Sequence, residues 1–495
     1  MKKIFFNILT IVALAIVVSS CEKKYLETRP TDAVAAGDVF ATTNNAWAAI
    51  NGMHRSLYIQ YLGNQDQGGL SGNMIYMDAM GEDLVMTARA NGWFISDYQW
   101  LNHRNVNSRV PYFNYYFFYR LIANANMIIN NVDAAEGPDA DKKVIKGQAL
   151  TYRAWAHFNL VQLFAERFDA GGANSGLGVA IVLENGKEGK PRSSVAEVYA
   201  QVNTDINEAI SLLAGAAARA NRSHINVNVA KGVKARIALA QQNWTVAAQM
   251  ANEARQGFPI MSEADYMAGF NDYTNNEWLW GVHQQSDQTT FFYSFFAFMS
   301  CNFSSSNIRG NPKCINSTLY NQLSATDYRR NIWDPTGADV ANFPIPTATS
   351  ARNEYMNRKF FAESSSLSIG DVPIMRASEM VLIEAEALAR SGSDGPAAQA
   401  LFILASERDP AYVLSTNTGQ ALIDEIMFQR RVELWGEGFR FYDLKRLNQS
   451  LDRTGANHDN ALARILTMPA GDKEWQFLIP QDELNANKEM VQNPL

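Results

Sequence analysis

Three cysteines and six histidines in 495 residues leave little room for thiol or imidazole chemistry. Cys21, Cys301 and Cys314 lack the further Cys or His ligands of a zinc site, and His54, His103, His157, His224 and His283 show no metal spacing. Charged residues are only 19% of the chain, and their balance is -7. A long phosphate backbone, and so nucleic acid, is therefore not an expected partner. There is no phosphate loop, no HExxH, no GxSxG and no dinucleotide fingerprint. Glu82 and Asp83, after Gly81, read as an exposed acidic turn, because a glycosidase needs two carboxylates flanking a bond at a defined separation. The expectation is a protein that is not an enzyme and needs no metal or cofactor.

What is present is apolar and aromatic. Hydrophobic residues make up 47% and aromatics 11%, with 10 Trp and 19 Tyr, enough for a large core. The length allows two or three domains without requiring them. Lys2 and Lys3 precede an apolar run over 4–18, too short for a stable membrane anchor, which ends in Val18-Ser19-Ser20-Cys21. Small residues before a cysteine resemble a bacterial lipobox, so residues 1–20 read as a lipoprotein signal peptide and Cys21 as the lipidated first residue. Cys301 and Cys314 are left as a possible disulfide pair.

Helical periodicity dominates the rest. A helix beginning at Thr43 puts Trp47, Ile50, Met53 and Leu57 on one face. Others are predicted over 112–132, 142–164 and 195–213, then as pairs over 229–241 with 245–256 and 376–390 with 397–408. Ala149, Ala154 and Ala156 alternate with bulky residues in the third of these, which suits close approach of a neighbouring helix. Such pairs resemble degenerate tetratricopeptide units, and several in one chain imply a stacked superhelix. Two segments lack the period: 66–109, and 277–361, which is long enough to need a tertiary role of its own. Loop-rich insertions on a rigid scaffold are where binding residues are expected.

The densest charge lies in 429–446, QRRVELWGEGFRFYDLKR. Glu433 and Glu437 stand one helical turn apart, and Glu437 can face Arg440 at the i,i+3 spacing. Gly438 is best explained as a corner between two short helices. Arg431, Glu433, Glu437, Gly438, Arg440, Asp443 and Arg446 read as a structural clasp rather than a ligand site.

Five stretches in order carry a family resemblance: the lipobox leading into YLETRPTDAV, QALTYRAWAHFNLVQLF, PIMRASEMVLIEAEALAR, the clasp block, and the tail FLIPQDELNANKEMVQNPL. Together they resemble the SusD/RagB family over essentially the whole chain after Cys21. The resemblance implies a mainly α fold, a tetratricopeptide-like helix-pair superhelix with a loop-rich, partly β insertion that carries the binding site. It divides the chain after the signal into a helical part at 21–276 with an aromatic loop at 66–109, an irregular insertion at 277–361 and a C-terminal helical part at 362–495. It also implies a lipoprotein, anchored in the outer membrane through Cys21 and facing outward. Such a protein captures a glycan for a SusC-like TonB-dependent transporter. Alternatives on the same fold are peptide capture and a scaffold without ligand.

Sugar rings offer C–H faces to aromatic side chains and hydroxyls to amides, carboxylates and cations. The two irregular segments supply that mixture. The candidates are Trp93, Tyr98, Trp100, Asn102 and His103 in the first, and His283, Gln285, Asp287, Gln288, Phe291 and Tyr293 in the second. Trp278 and Trp280 alternate with Leu279 and read as core.

Overall fold

A computed structural model of the chain describes residues 39–285 and 291–495. The leader with Cys21, as well as Asp287 and Gln288, lies outside the described residues, and so does the Phe291 side chain.

Helices build the frame. In α1, Thr43–Ser56, the Thr42 hydroxyl caps the first turn, and Ala46, Ile50 and Met53 are buried in the core. The next helix, α2, Leu70–Ala79, is a correction, since it falls in a segment without helical period. All ten of its residues are buried, so it has no solvent face and leaves no amphipathic pattern to read. Then come α3, Arg109–Asn131, and α4, Asp139–Phe164, with α5, Val195–Leu213, opened by a Ser194/Glu197 capping box. Ala149, Ala154 and Ala156 of α4 are buried, and α3 and α5 both pack on it. The pair α6, Val227–Ala240, and α7, Trp244–Arg255, starts from the asparagine caps Asn226 and Asn243. After a long interval the stack resumes with α8, Ala377–Arg390, α9, Asp394–Arg408, and α10, Gln420–Glu433, followed by α11, Arg440–Arg446. Because α8 packs on α7 as well as on α9, the early and late helix pairs form one continuous stack.

The interval is closed at its base by strands. β2, Trp278–Val282, pairs antiparallel with β6, Val372–Arg376, and all ten of these strand residues are buried. Trp278 and Trp280 are core, as their alternation predicts. Within the interval, β3, Cys314–Ile315, β4, Trp333–Asp334, and β5, Met356–Asn357, join β1, Leu84–Val85, in a sheet of order β1-β3-β5-β4. That sheet ties the two irregular segments together, although the paired strands β1 and β3 are more than 200 positions apart in sequence. Cys301 and Cys314 are both free and buried, not paired with each other.

The charged block ends the stack. Gly438 sits between α10 and α11 at φ +84°, and a Cβ there would stand 2.7 Å from the Met74 Cα of α2, so the corner requires glycine. Glu433 accepts from Arg329, Arg376 and Arg408, while Glu437 accepts from Arg376 (2.6 and 2.9 Å) and Lys359 (2.8 Å). With Glu277 and Asp327, these residues make a buried cluster of four carboxylates and four cations whose formal charges cancel. Removal of any one member uncovers a charge, the case in which buried pairs matter most. The local Glu437–Arg440 pair does not form, because the corner turns α11 away. Arg440 and Arg431 instead hold Glu82 and Asp83, which are buried rather than an exposed turn. Asp443 joins Arg430 (2.7 Å) and Arg446 (2.8 Å), and Arg446 continues to Glu386 of α8. Three guanidiniums hold Glu433 well below the carboxylate range against the opposing effect of burial.

Candidate functional site

The first aromatic segment divides into a surface residue and a core group. Phe94 takes a left-handed backbone, φ +63°, unusual for a bulky residue. That turn sends its own ring inward against Tyr76 and Phe298, at centroid distances of 4.9 Å each, and leaves Trp93 half-buried at the surface.

Tyr98, Trp100 and His103 are corrections, because all three are buried. The Tyr98 hydroxyl meets His458 Nδ1 at 2.5 Å, and the Arg453 guanidinium lies 4.4 Å from its ring. Trp100 donates its indole N–H to Met80 O (3.0 Å) and packs edge-on against Trp475. His103 bonds Glu474 O through Nε2 (2.8 Å), and burial lowers its pKa to about 3, so it is a neutral core group. His157 is satisfied at both ring nitrogens, with Nδ1 donating to Arg153 O and Nε2 accepting from the Val182 N–H. Asn102 is half-buried and donates to Asp97 (3.1 Å).

Trp93 is braced. The Arg109 guanidinium, at the first turn of α3, lies 4.9 Å from the indole centroid, within cation–π range. Arg109 is fixed in turn by Asp66, with Nε to Oδ2 at 2.9 Å and Nη2 to Oδ2 at 2.8 Å. Asp66 is fully buried, while the Arg109 side chain is 45% exposed and turns part of its surface to solvent. Beneath them the Asp97 carboxyl is pushed up to about 7, first by burial and then by the Asp66 charge, while Asn102 and Arg109 act against the shift.

The second segment reaches the same place through Tyr293. A Cβ on Gly68 would stand 2.0 Å from the Tyr293 carbonyl oxygen, so only glycine allows the two backbones to approach this closely. Tyr293 is half-buried there, two residues along the 66–68 turn from the buried Asp66. Trp93 and Tyr293 are thus gathered around one loop. His283 belongs elsewhere, stacked on Tyr273 (4.6 Å) and bonded to Asp371 (2.8 Å) at the end of β2, with Gln285 exposed beyond it. Asp66 and Arg109 are the residues of this site that the sequence does not point to, since nothing local relates two groups 43 positions apart. Among the described residues, no group of three or more His, Cys, Asp or Glu side chains is placed to hold a metal ion. No helix among them is long and apolar enough to cross a membrane.

Two family models match the chain: residues 292–495 match the SusD family, and residues 40–239 match a family described as starch-binding and associating with the outer membrane. A SusD-like carbohydrate binding protein from Bacteroides vulgatus ATCC 8482 is 25% identical with a TM-score of 0.79, over 91% of this chain and 98% of that one. A SusD superfamily protein from Bacteroides thetaiotaomicron VPI-5482 is 23% identical with a TM-score of 0.76, over 92% and 100% of the two chains. A laminarin binding SusD-like protein is similar in fold at 19% identity, with a TM-score of 0.69, over 92% and 100%. No curated protein matches.

Proposed function

This chain belongs to the SusD/RagB family, and from that premise we propose that it is an outer-membrane lipoprotein that binds a glycan and passes it to a partner TonB-dependent transporter. The single observation that carries the binding part is the braced indole. Trp93 is held at the surface by Arg109, and Arg109 is held by the buried Asp66, on the same turn as Gly68, which the Tyr293 backbone approaches. An aromatic face fixed in orientation before the ligand arrives loses little freedom on stacking against a sugar ring. The partly exposed Arg109 guanidinium supplies donors for hydroxyl oxygens beside it. The carbohydrate-binding names of similar structures support the ligand class, and the family description supports the membrane location. The lipid on Cys21, the outward orientation and the transporter partner rest on the family resemblance and the lipobox. Binding without turnover is the proposed activity.

A glycan array on the purified protein tests this. The expected result is binding to a set of related glycans that falls at least about threefold in Trp93→Ala, within the range of one aromatic contact, in a variant that still melts cooperatively. Undiminished binding in Trp93→Ala refutes the site. Binding to a peptide library and to no glycan refutes the ligand class. Co-purification of a β-barrel transporter from membranes, and a lipid mass on Cys21, test the other two parts.

A further inference from the structure

Helix α3 carries a ladder of tyrosines that the Trp93 site does not use. Tyr112, Tyr115, Tyr116 and Tyr119 recur at helical spacing and form one wall of a groove of about 740 Å3. That volume lies within the ~300–1,000 Å3 of small-ligand sites. Ala123, Ala180 and Val182 contribute small side chains to the lining, and the facing wall is Pro480 with the short helix Gln481–Ala486. The walls are tied together. Tyr119 donates to Ala180 O (2.9 Å), Asn126 to Val182 O (3.0 Å) and Asn185 to Ala123 O (2.9 Å), which fastens the 180–190 loop to α3. Asn487 donates to Lys190 O (2.9 Å) and fastens the far end of the loop to the opposite wall. A ligand entering this groove meets surfaces that are already ordered.

The lining selects a ligand chemistry. Tyr112 and Tyr116 are half-buried, with rings within 8° of parallel and centroids 6.1 Å apart. Two parallel aromatic rings therefore stand one helical turn apart on this wall, and Arg120 donates to the Tyr116 hydroxyl (3.2 Å). Glu184, Glu188, Asp482 and Glu483 outnumber Lys187 and Lys190, so the rim repels a polyanion while offering donors and acceptors of both kinds. The aliphatic side chains of the lining are Ala, Val and Pro, too small to form a deep slot for the anchor residue of a partner helix.

We propose that this groove is a second binding site, for a neutral oligosaccharide, separate from the Trp93 surface. The ligand class rests on the glycan-binding reading above, and the position rests on the groove itself. Nitration of surface tyrosines by tetranitromethane, mapped by mass spectrometry, reads the groove directly. The probes are maltohexaose, cellohexaose, laminarihexaose and xylohexaose, with added N-acetyltyrosine as the reference for reagent activity. The expected result is that at least one sugar lowers nitration of Tyr112 and Tyr116 severalfold, in the wild type and equally in Trp93→Ala. In Trp93→Ala, adding Tyr112→Ala with Tyr116→Ala is expected to weaken the remaining binding about three- to tenfold. Nitration unchanged by all four sugars overturns the groove assignment, whether or not binding that depends on Trp93 persists. Protection intact in both proteins, with glycan affinity indifferent to Trp93→Ala, supports the groove and overturns the Trp93 site instead.

Discussion

Replacing Glu437 by alanine removes a carboxylate that holds Arg376 through two bonds and Lys359 through one, all three groups being nearly or fully buried. The cluster loses its charge balance, and breaking a buried pair from one side costs about 3–5 kcal/mol. Unfolding entropy of roughly 2.1 cal/mol/K per residue over this chain length comes to about 1 kcal/mol/K, so the expected fall in melting temperature is about 3–5 °C. The loss also depends on pH. Burial already lowers the pKa of Lys359 and Glu437 opposes that effect, so removal of Glu437 drives Lys359 further toward its neutral form. A lysine whose folded pKa lies below its unfolded value binds fewer protons when folded. Stability of the variant therefore rises with pH toward the unfolded value, about 10.4. The deficit relative to wild type should shrink between pH 7 and 9. Lys359→Met combined with Glu437→Ala should recover part of the loss, because an apolar group replaces the uncompensated charge. Calorimetric melts at pH 7 and 9, with glycan affinity measured at 25 °C, decide the matter. An unchanged melt beside a lost affinity would refute the clasp and make Glu437 a ligand group.

Three other outcomes follow from burial. Trp100→Ala should lower stability by about 3–5 kcal/mol, as expected for a large core side chain, whereas Trp93→Ala should cost less, forfeiting partial packing against the core and a cation–π contact of about 0.5–1 kcal/mol; urea denaturation of the two variants separates them. Asp97, held at about 7, carries a proton in the folded chain that the unfolded chain has lost above about pH 4. Its contribution to stability is therefore greatest below pH 4 and declines as pH rises to about 7, at up to about 1.4 kcal/mol per unit. Asp97→Asn should lack that component, and identical slopes in the two proteins between pH 4.5 and 7 would show that the group titrates normally. Burial raises the Cys301 thiol to about 12 and raises Cys314 as well, so iodoacetamide should label neither in the native protein and both in guanidinium. Fast native labelling of either thiol would contradict its burial.

Where one helical face meets solvent, the sequence carries the fold. Ile50 and Met53 mark α1, the alternation of Ala149, Ala154 and Ala156 with bulky residues marks α4, and the period over 195–213 marks α5. The same reasoning fails at α2 for a physical reason: a helix buried on every side has no polar stripe, so Leu70–Ala79 reads as irregular. It fails again wherever the partner lies far along the chain. Glu82 and Asp83 look like a solvated turn until Arg431 and Arg440, some 350 positions later, close on them.

The candidate site has the same limit. An aromatic among polar neighbours reads alike whether it faces ligand or core. For Tyr98, Trp100 and His103 the answer comes from His458, Trp475 and Phe477 in the C-terminal tail, which cover them. Trp93 escapes because the left-handed turn at Phe94 sends only the second of two adjacent aromatics inward. A dipeptide with one residue committed to the core and the other braced from outside by Arg109 is therefore the feature that separates a surface aromatic from a packing one in this segment. That distinction lies in a backbone angle and a contact across 43 positions to Asp66, neither of which the pattern of residues could supply.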